Sequence, residues 1–361
     1  MGKKDKNSKK NKKSVIKTIL SFIGKFLIWV FVTLLCLLLG LYVLLLYINK
    51  GPSPYFRDLF VASAMESSAG PIMAKLFYSD EEIKDIQKKN SVVETSEITD
   101  TSLIKINTMK DESGNPSLSS NTATDEDPDG DGIIIYDVHG PTYVGKMMVV
   151  LDPSRVKVGV CNGFVLDGGG MTLSAIVDKY DCVAGINGGK YEDEAGLGLG
   201  GMPQGIVISE GQLMMGDMNS TYGVYGFTND NVLVVGNMTA ATALNMGVRD
   251  AVTFGPALIT NGVPANYSGV GSGLNPRTAI GQREDGAVLM LVIEGRKASS
   301  IGASTSDLIN EMLNYGAINA ANLDGGMSSS MVYDGDIIVS NSNIRGDRRI
   351  PTAFVVERRD N

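Results

Sequence analysis

The chain has 361 residues and a formal charge of −8, with one histidine and three cysteines. The charge is divided: residues 1–50 carry ten Lys and one Asp, a local +9 that leaves −17 on the remainder. So acidic a remainder lacks the clustered cations that neutralise a phosphate backbone, which excludes nucleic acid as an expected partner, and a single histidine with no CxxC excludes a Cys/His zinc cluster.

Residues 1–25 form a basic tail, and Phe26–Ile48 runs for 23 residues without a charge. That run is long enough to cross a hydrocarbon core of about 30 Å at about 1.5 Å per residue. Trp29, Tyr42 and Tyr47 stand near its ends, where amphipathic aromatics favour the interface. Lysines before the span and few after it predict a cytoplasmic N-terminus, with the C-terminal part extracellular at the cell membrane. A cleaved signal peptide is the rival reading, but the run exceeds an ordinary apolar h-region and no A-x-A-like site follows closely. Residues 49–92 read as a juxtamembrane helical stalk, with Ser79 capping a helix over 79–89. Residues 93–128, rich in Ser, Thr, Asn, Asp and Glu, read as a solvated polar linker.

Residues 129–361 read as one domain. Apolar, β-branched runs at 133–136, 145–151, 156–160, 207–209, 223–227, 232–235, 287–293, 318–323, 330–333 and 352–357 predict strands, and VAGINGG (183–189) reads as a buried strand entering a Gly turn. Helical spacing marks 171–180 and 304–315, the latter stopped at Gly316, and a short helix is expected at 240–246. Interspersed helices and strands without an internal repeat define an α+β class: mixed β-sheets with a few packed helices, after one transmembrane helix. Cys161 and Cys182 are either a disulfide pair or two buried thiols.

Three features point to chemistry. The 43 glycines cluster, and Gly188-Gly189 and Gly325-Gly326 follow apolar strands, where successive N–H groups can form an anion nest. The Gly196–Gly201 cluster reads as turn punctuation. Polar residues also end buried strands: Asn322 and Asp324 before Ser328, Ser329 and Ser330; Glu294 and Arg296 after AVLMLVI; Arg277 and Thr278 opening an apolar run. Carboxylates, an arginine and hydroxyls so placed can build an acid/base site with an anion clamp. Third, Asp127, Asp129 and Asp131 before Gly132 match half of an EF-hand loop, but Val138 stands where the bidentate Glu belongs, so a solvated acidic turn is the favoured reading. A Ser-His-Asp hydrolase would have to use His139, and no G-x-S-x-G accompanies it.

INGG (186–189), FGPALITNG (254–262), NPRTAIG (275–281), IEGR (293–296) and NLDGGMSSS (322–330), in that order, resemble the phosphodiester glycosidase family over about residues 133–358. The resemblance implies hydrolysis of the bond between a sugar's anomeric carbon and a phosphate oxygen, on a phosphodiester-containing envelope glycan or exopolysaccharide. It implies no metal or cofactor. On this reading Asp324 is nucleophile or general base, and Glu294 its acid/base partner or a sugar-hydroxyl ligand. Arg277 and Thr278, with glycine N–H groups of Gly188, Gly189, Gly325 and Gly326, stabilise the leaving phosphate. Asn187 and Asn322 bind sugar or phosphate oxygens, and Ser328 and Ser329 help hold the phosphate. The pattern departs from the family at Lys190, Met327 and Glu294. The departures at Lys190 and Met327 keep a non-catalytic module binding envelope glycan as the alternative, and a scaffold positioning other envelope proteins through the linker and stalk is a third reading.

Overall fold

The computed structural model describes residues 3–67, 70–106, 109–110, 116–117, 127, 129–166, 168–193, 199–340 and 346–359. Two compact units are present, Met1–Arg57 and Asp58–Asn361. The first is dominated by the Lys3–Lys50 helix, within which Lys17–Lys50 is long and apolar enough to cross a membrane and none of its most apolar window is buried.

The second unit is α+β, built on three antiparallel sheets. The largest has seven strands, in the spatial order Val263–Pro264, Ala257–Thr260, Ala317–Leu323, Arg277–Arg283, Val288–Ile293, Val144–Val150, Ile133–His139. A five-stranded sheet runs Asp336–Ser340, Ser330–Tyr333, Cys182–Asn187, Thr352–Glu357, Val156–Val160. The third runs Leu233–Thr239, Thr221–Thr228, Val248–Val252, Val207–Ser209, Gln212–Met215. One apolar core draws side chains from all three. The outer face of each sheet is covered by a helix: Thr305–Asn314, Leu173–Lys179 and Ala240–Asn245 respectively.

The two-residue period of a strand explains this arrangement. Val288, Met290 and Val292 enter the shared core while Leu289, Leu291 and Ile293 face the helix-covered side. Phe354 and Val356 point one way and Ala353 and Val355 the other. Strands buried on both faces read as continuous apolar runs, which is why these two were legible. The Gln212–Met215, Val248–Val252, Ala257–Thr260 and Asp336–Ser340 strands lay outside the sequence-based expectation. They are short, interrupted by charge, or bounded by glycine, so their pairing comes from neighbours rather than from local pattern. The Thr305–Asn314 helix starts as predicted from Ser304, whose hydroxyl and Asp307 form a reciprocal capping box.

The stalk and linker expectations are revised from Asp58 onward. Within the second unit, Val61, Ala74, Tyr78, Ile83 and Ile86 make a small core of their own. Val92–Val93 pairs with Asn266–Tyr267. Thr99 exchanges hydrogen bonds with Val235, and the Glu94 carboxylate accepts Ala257 N at 2.8 Å. The described residues of 58–106 therefore belong to the folded unit, fastened to it by this strand pairing and these hydrogen bonds. Most of the rest of the expected linker, 107–126, lies outside the described residues. Cys161 and Cys182 are buried free thiols, and burial pushes Cys182 up to about 11.

Phe354 is fully buried in the shared core and meets Phe227 edge to face at 6.2 Å. Phe354→Ala should cost about 3–5 kcal/mol by loss of burial and by cavity formation. The exposed Val263→Ala should change stability by less than about 0.5 kcal/mol. Chemical denaturation of both variants in the detergent-solubilised chain checks the contrast.

Candidate active site

The site is a cleft of about 630 Å³. Asp324 leaves the end of the Ala317–Leu323 strand, and its backbone is clamped by the turn that ends the Cys182–Asn187 strand. Asp324 N donates to Gly188 O at 3.1 Å, and Asn187 Nδ2 donates to Asp324 O at 2.6 Å. The carboxylate accepts Gly325 N at 3.0 Å and is hydrogen-bonded by Ser328. Burial outweighs these bonds and nearby Arg348, and pushes Asp324 up to about 6. Ser328 Oγ lies 3.0 Å from Tyr191 Oη, so one hydroxyl joins the phenol to the carboxylate. Burial, with Asp324 nearby, raises Tyr191 to about 12, which keeps the phenol protonated.

Positive charge faces this carboxylate. Arg277, Arg296 and Arg348 all line the cleft. Arg348 is paired with Asp193. Arg296 sits in left-handed backbone conformation at φ 57°, rarely adopted by a non-glycine residue, and its Nη2 donates to Asn275 Oδ1 at 3.0 Å. The residue as a whole is exposed, but desolvation at its guanidinium end, with Arg348 and Arg277 close by, lowers that group from the usual range. Asn322 completes the wall. Its Nδ2 donates to Gly255 O at 2.9 Å, which fixes the amide orientation, and its buried Oδ1 has no hydrogen-bond partner. A buried acceptor left without a donor carries a desolvation cost that a ligand N–H or O–H can relieve.

The residues expected from sequence separate into two groups. Arg277, Asn322, Asp324, Gly325, Gly326 and Ser328 are brought together on the cleft wall. Asn187, Thr278, Gly188, Gly189 and Ser329 lie behind it and are not among the described residues of its lining. Asn187 is fully buried: its Oδ1 accepts Thr278 Oγ1 at 2.7 Å and Ser330 N at 3.2 Å. Gly188 N and Gly189 N donate to Thr352 rather than toward the cleft. Glycine is required there by space, since a Cβ on Gly188 would meet Thr352 Oγ1 at 2.6 Å. Gly326 N likewise donates to Pro276 O, so the expected anion nests are closed by the protein itself. Glu294 is also away from the lining; its carboxylate pairs with Lys297 at 3.1 Å. The Glu294 backbone is held instead, N to Val144 O and O to Ser300 Oγ.

Tyr191, Asp193, Arg348, Asn275 and Glu66 were not singled out for the site by sequence reasoning. Tyr191 follows the INGG turn by two residues and Asn275 opens NPRTAIG (275–281), both usable signals; the others carried none. The exposed His139 is not on the lining. The carboxylates of Asp127, Asp129 and Asp131 lie within 4.8 Å of one another. Asp127 accepts Gly130 N and Gly132 N, while Asp131 accepts Ile133 N and Tyr333 Oη, all turn-closing bonds.

Comparison with known proteins agrees with this architecture. A phosphodiester glycosidase profile matches residues 180–357, just under half of the chain, and the matched part carries Asp324, Arg277, Arg296 and Arg348. Among solved structures, the chain is similar to the zebrafish N-acetylglucosamine-1-phosphodiester alpha-N-acetylglucosaminidase catalytic domain auto-inhibited by pro-peptide. The two share 20% identity and a TM-score of 0.51, over 63% of this chain and 82% of that one, and the likeness shows a common fold. A hypothetical protein from Synechocystis aligns at 16% identity and TM-score 0.44, over 63% of this chain and 62% of that one. The SPbeta prophage-derived uncharacterized protein YomE of Bacillus subtilis strain 168 is 34% identical over 118 residues, 31% of this chain. The chain spans only 18% of that relative's length.

Because folding raises the pKa of Asp324, the folded state binds a proton more readily than the unfolded state between about 4 and 6. Stability contributed by the protonated form is therefore present at low pH and lost as pH rises through about 6. Asp324→Asn should accordingly raise Tm at pH 7–8, with the gain shrinking toward zero as pH falls to 4. Thermal unfolding across that range checks the sign.

Proposed function

We propose that the protein is a membrane-anchored phosphodiester glycosidase that hydrolyses the bond between a sugar's anomeric carbon and a phosphate oxygen. The observation that carries this reading is a half-buried carboxylate, Asp324, with a pKa of about 6, in one cleft with Arg277, Arg296 and Arg348. The family match over residues 180–357 supports the reaction class.

The chemistry follows from that arrangement. Asp324, ionised near neutral pH, takes a proton from water as its oxygen bonds to the anomeric carbon. The carbon–oxygen bond to phosphate breaks, and the electron pair leaves with the phosphomonoester. That group departs well without protonation, so stabilising its charge matters most, and guanidinium groups supply this in a partly water-excluded site. Asn322 Oδ1 is placed to accept a hydroxyl or amide N–H of the sugar. Ser328 and Tyr191 hold the carboxylate. Glu294 has no role in the reacting set on this reading.

The Lys17–Lys50 helix supports anchoring, and the lysines preceding its apolar run support a cytoplasmic N-terminus with the catalytic unit outside. A phosphodiester-containing envelope glycan or exopolysaccharide is then the reachable substrate. In spheroplasts of an expressing bacterium, added protease should destroy the C-terminal unit while leaving the basic tail intact. Protection of the whole chain would reverse the orientation.

The detergent-solubilised chain should release both free sugar and phosphomonoester from an N-acetylglucosamine 1-phosphodiester. Its kcat/KM should rise with pH through about 6, as the base ionises. Asp324→Asn should lose at least about a hundredfold in kcat. Full turnover by a folded Asp324→Asn protein would remove Asp324 from the reaction. Saccharide binding without product, across several sugars, would make the domain a glycan-binding module.

A further inference from the structure

The short helix Gly70–Lys75 has its polarity reversed. Its small residues Gly70 and Ala74 are buried, and Ala74 packs with Val61, Tyr78, Ile83 and Ile86. Its large apolar residues face outward: Ile72 is 71% exposed and Met73 41%, and Leu76, one residue past the helix, is 74% exposed. An ordinary amphipathic surface helix does the opposite, burying large apolar side chains and presenting polar ones to water. Ile72 and Leu76 stand about one helical turn apart, so they share a side. Large apolar groups clustered and uncovered on a packed unit mark a face that meets something apolar. The face is held in place from below. Phe77 N and Tyr78 N both donate to Ala74 O, and Phe77 meets Phe60 edge to face at 6.2 Å.

The position of this face in the chain points to lipid as its cover. Asp58, where the second unit begins, follows Ile48 by ten residues. That connection spans at most about 35 Å even when fully extended. Val61, three residues further on, packs against Ala74 of the reversed helix, so the face lies beside the tether. Charge agrees. Residues 67–78 hold one Lys and no acid, on a remainder that carries −17. An anionic bilayer surface repels most of such a unit and accepts this stretch. Lys75, its side chain 54% exposed and paired with the exposed Asp80 at 2.9 Å, stands between Met73 and Leu76. Its alkyl stem can lie along lipid while the ammonium reaches the headgroups.

We propose that Ile72, Met73 and Leu76 form a lipid-docking face that seats the second unit on the membrane crossed by Phe26–Ile48. This rests on the anchored reading of the chain and is independent of the glycosidase reading. Docking removes the three side chains from water, and it costs little ordering because the helix is already folded and the tether already holds it near the bilayer. The cleft is then held close to the headgroups. Ala62 and Glu66 line it, and the neighbouring Val61 packs on the docking helix, an interval of about one helix–helix spacing, ~8–10 Å.

The test uses the full chain in nanodiscs containing phosphatidylglycerol, with Cys36→Ser as background, since Cys161 and Cys182 are buried. A nitrobenzoxadiazole label is placed at Leu76→Cys, at Ile72→Cys in a second protein, and at Met214→Cys as control. Met214 is 47% exposed on the edge strand Gln212–Met215, four strands across its sheet from the strand that Thr99 joins. An interfacial helix sinks its apolar face about 5–10 Å into the headgroup–acyl boundary, so lipids carrying a nitroxide there should quench the labels at 72 and 76 at least about twofold. The label at 214 should be unaffected. Adding Ile72→Asp to the Leu76→Cys chain should weaken the quenching. Trp29, the single tryptophan, lies in the apolar run and reports insertion through its own quenching. Quenched Trp29 with unquenched labels at 72 and 76 overturns docking and leaves the anchor standing. Unquenched Trp29 overturns the anchor, and the docking face with it. Equal quenching at 214 also overturns the proposal, because the contact would then be unspecific. Labels at 72 and 76 that shift to the blue yet escape nitroxide lipid would place a second copy on the face, which likewise overturns it. If Leu76→Cys fails to fold, Ile72→Cys decides. No sugar substrate enters the measurement, so loss of the glycosidase reading leaves the result untouched.

Discussion

Desolvation of the Asp324 carboxylate organises the cleft. The residue closes a strand whose preceding positions, Ala320, Ala321, Asn322 and Leu323, are buried, so its charge emerges from a dry interior at the point where solvent begins. A carboxylate there would be protonated or displaced without compensating groups. The Gly325 N–H, the Ser328 hydroxyl and the nearby Arg348 guanidinium supply partial compensation, and the remaining imbalance leaves a proton affinity near neutrality. The same imbalance that weakens the folded state gives the group the proton affinity that the proposed base requires.

A second layer, itself without access to the cleft, sets the direction of that carboxylate. Asn187 joins three elements: it donates to Asp324 O and accepts from Thr278 and Ser330 N. Gly188 accepts Asp324 N and packs against Thr352 too closely for any Cβ. These residues resemble ligand-binding groups in sequence, because small polar residues at strand ends serve both purposes. Burial separates the two: a fully enclosed amide with every atom engaged holds other residues in place, whereas Asn322 keeps one acceptor unengaged beside the cleft.

The legibility of the fold follows the same logic. Strands such as Val288–Ile293 and Thr352–Glu357 are buried on both faces, so their composition alone marks them. The Val248–Val252 strand contains Arg249 and Asp250, which pair with each other, and it becomes regular only by pairing between the Thr221–Thr228 and Val207–Ser209 strands. In the site, Asp324, Arg277 and Ser328 stood out because each interrupts or bounds an apolar run. Arg348 and Asp193 lie in polar stretches, where one charge resembles the next until the fold pairs them across 155 positions.

By itself, the sequence determined the apolar N-terminal span, the α+β class, the family resemblance and the strand-end location of Asp324. Each of these is written in local pattern: run length, period, and polar residues at the ends of apolar segments. Tertiary structure alone decided that Glu294 turns to Lys297, that Asn187 and Thr278 stand behind the wall, and that Glu66 reaches Arg277 from 211 positions away. The reason is physical: hydrogen bonding and ion pairing act over a few ångströms in space, and nothing in the local spacing of residues encodes which distant groups the folded chain brings within that range.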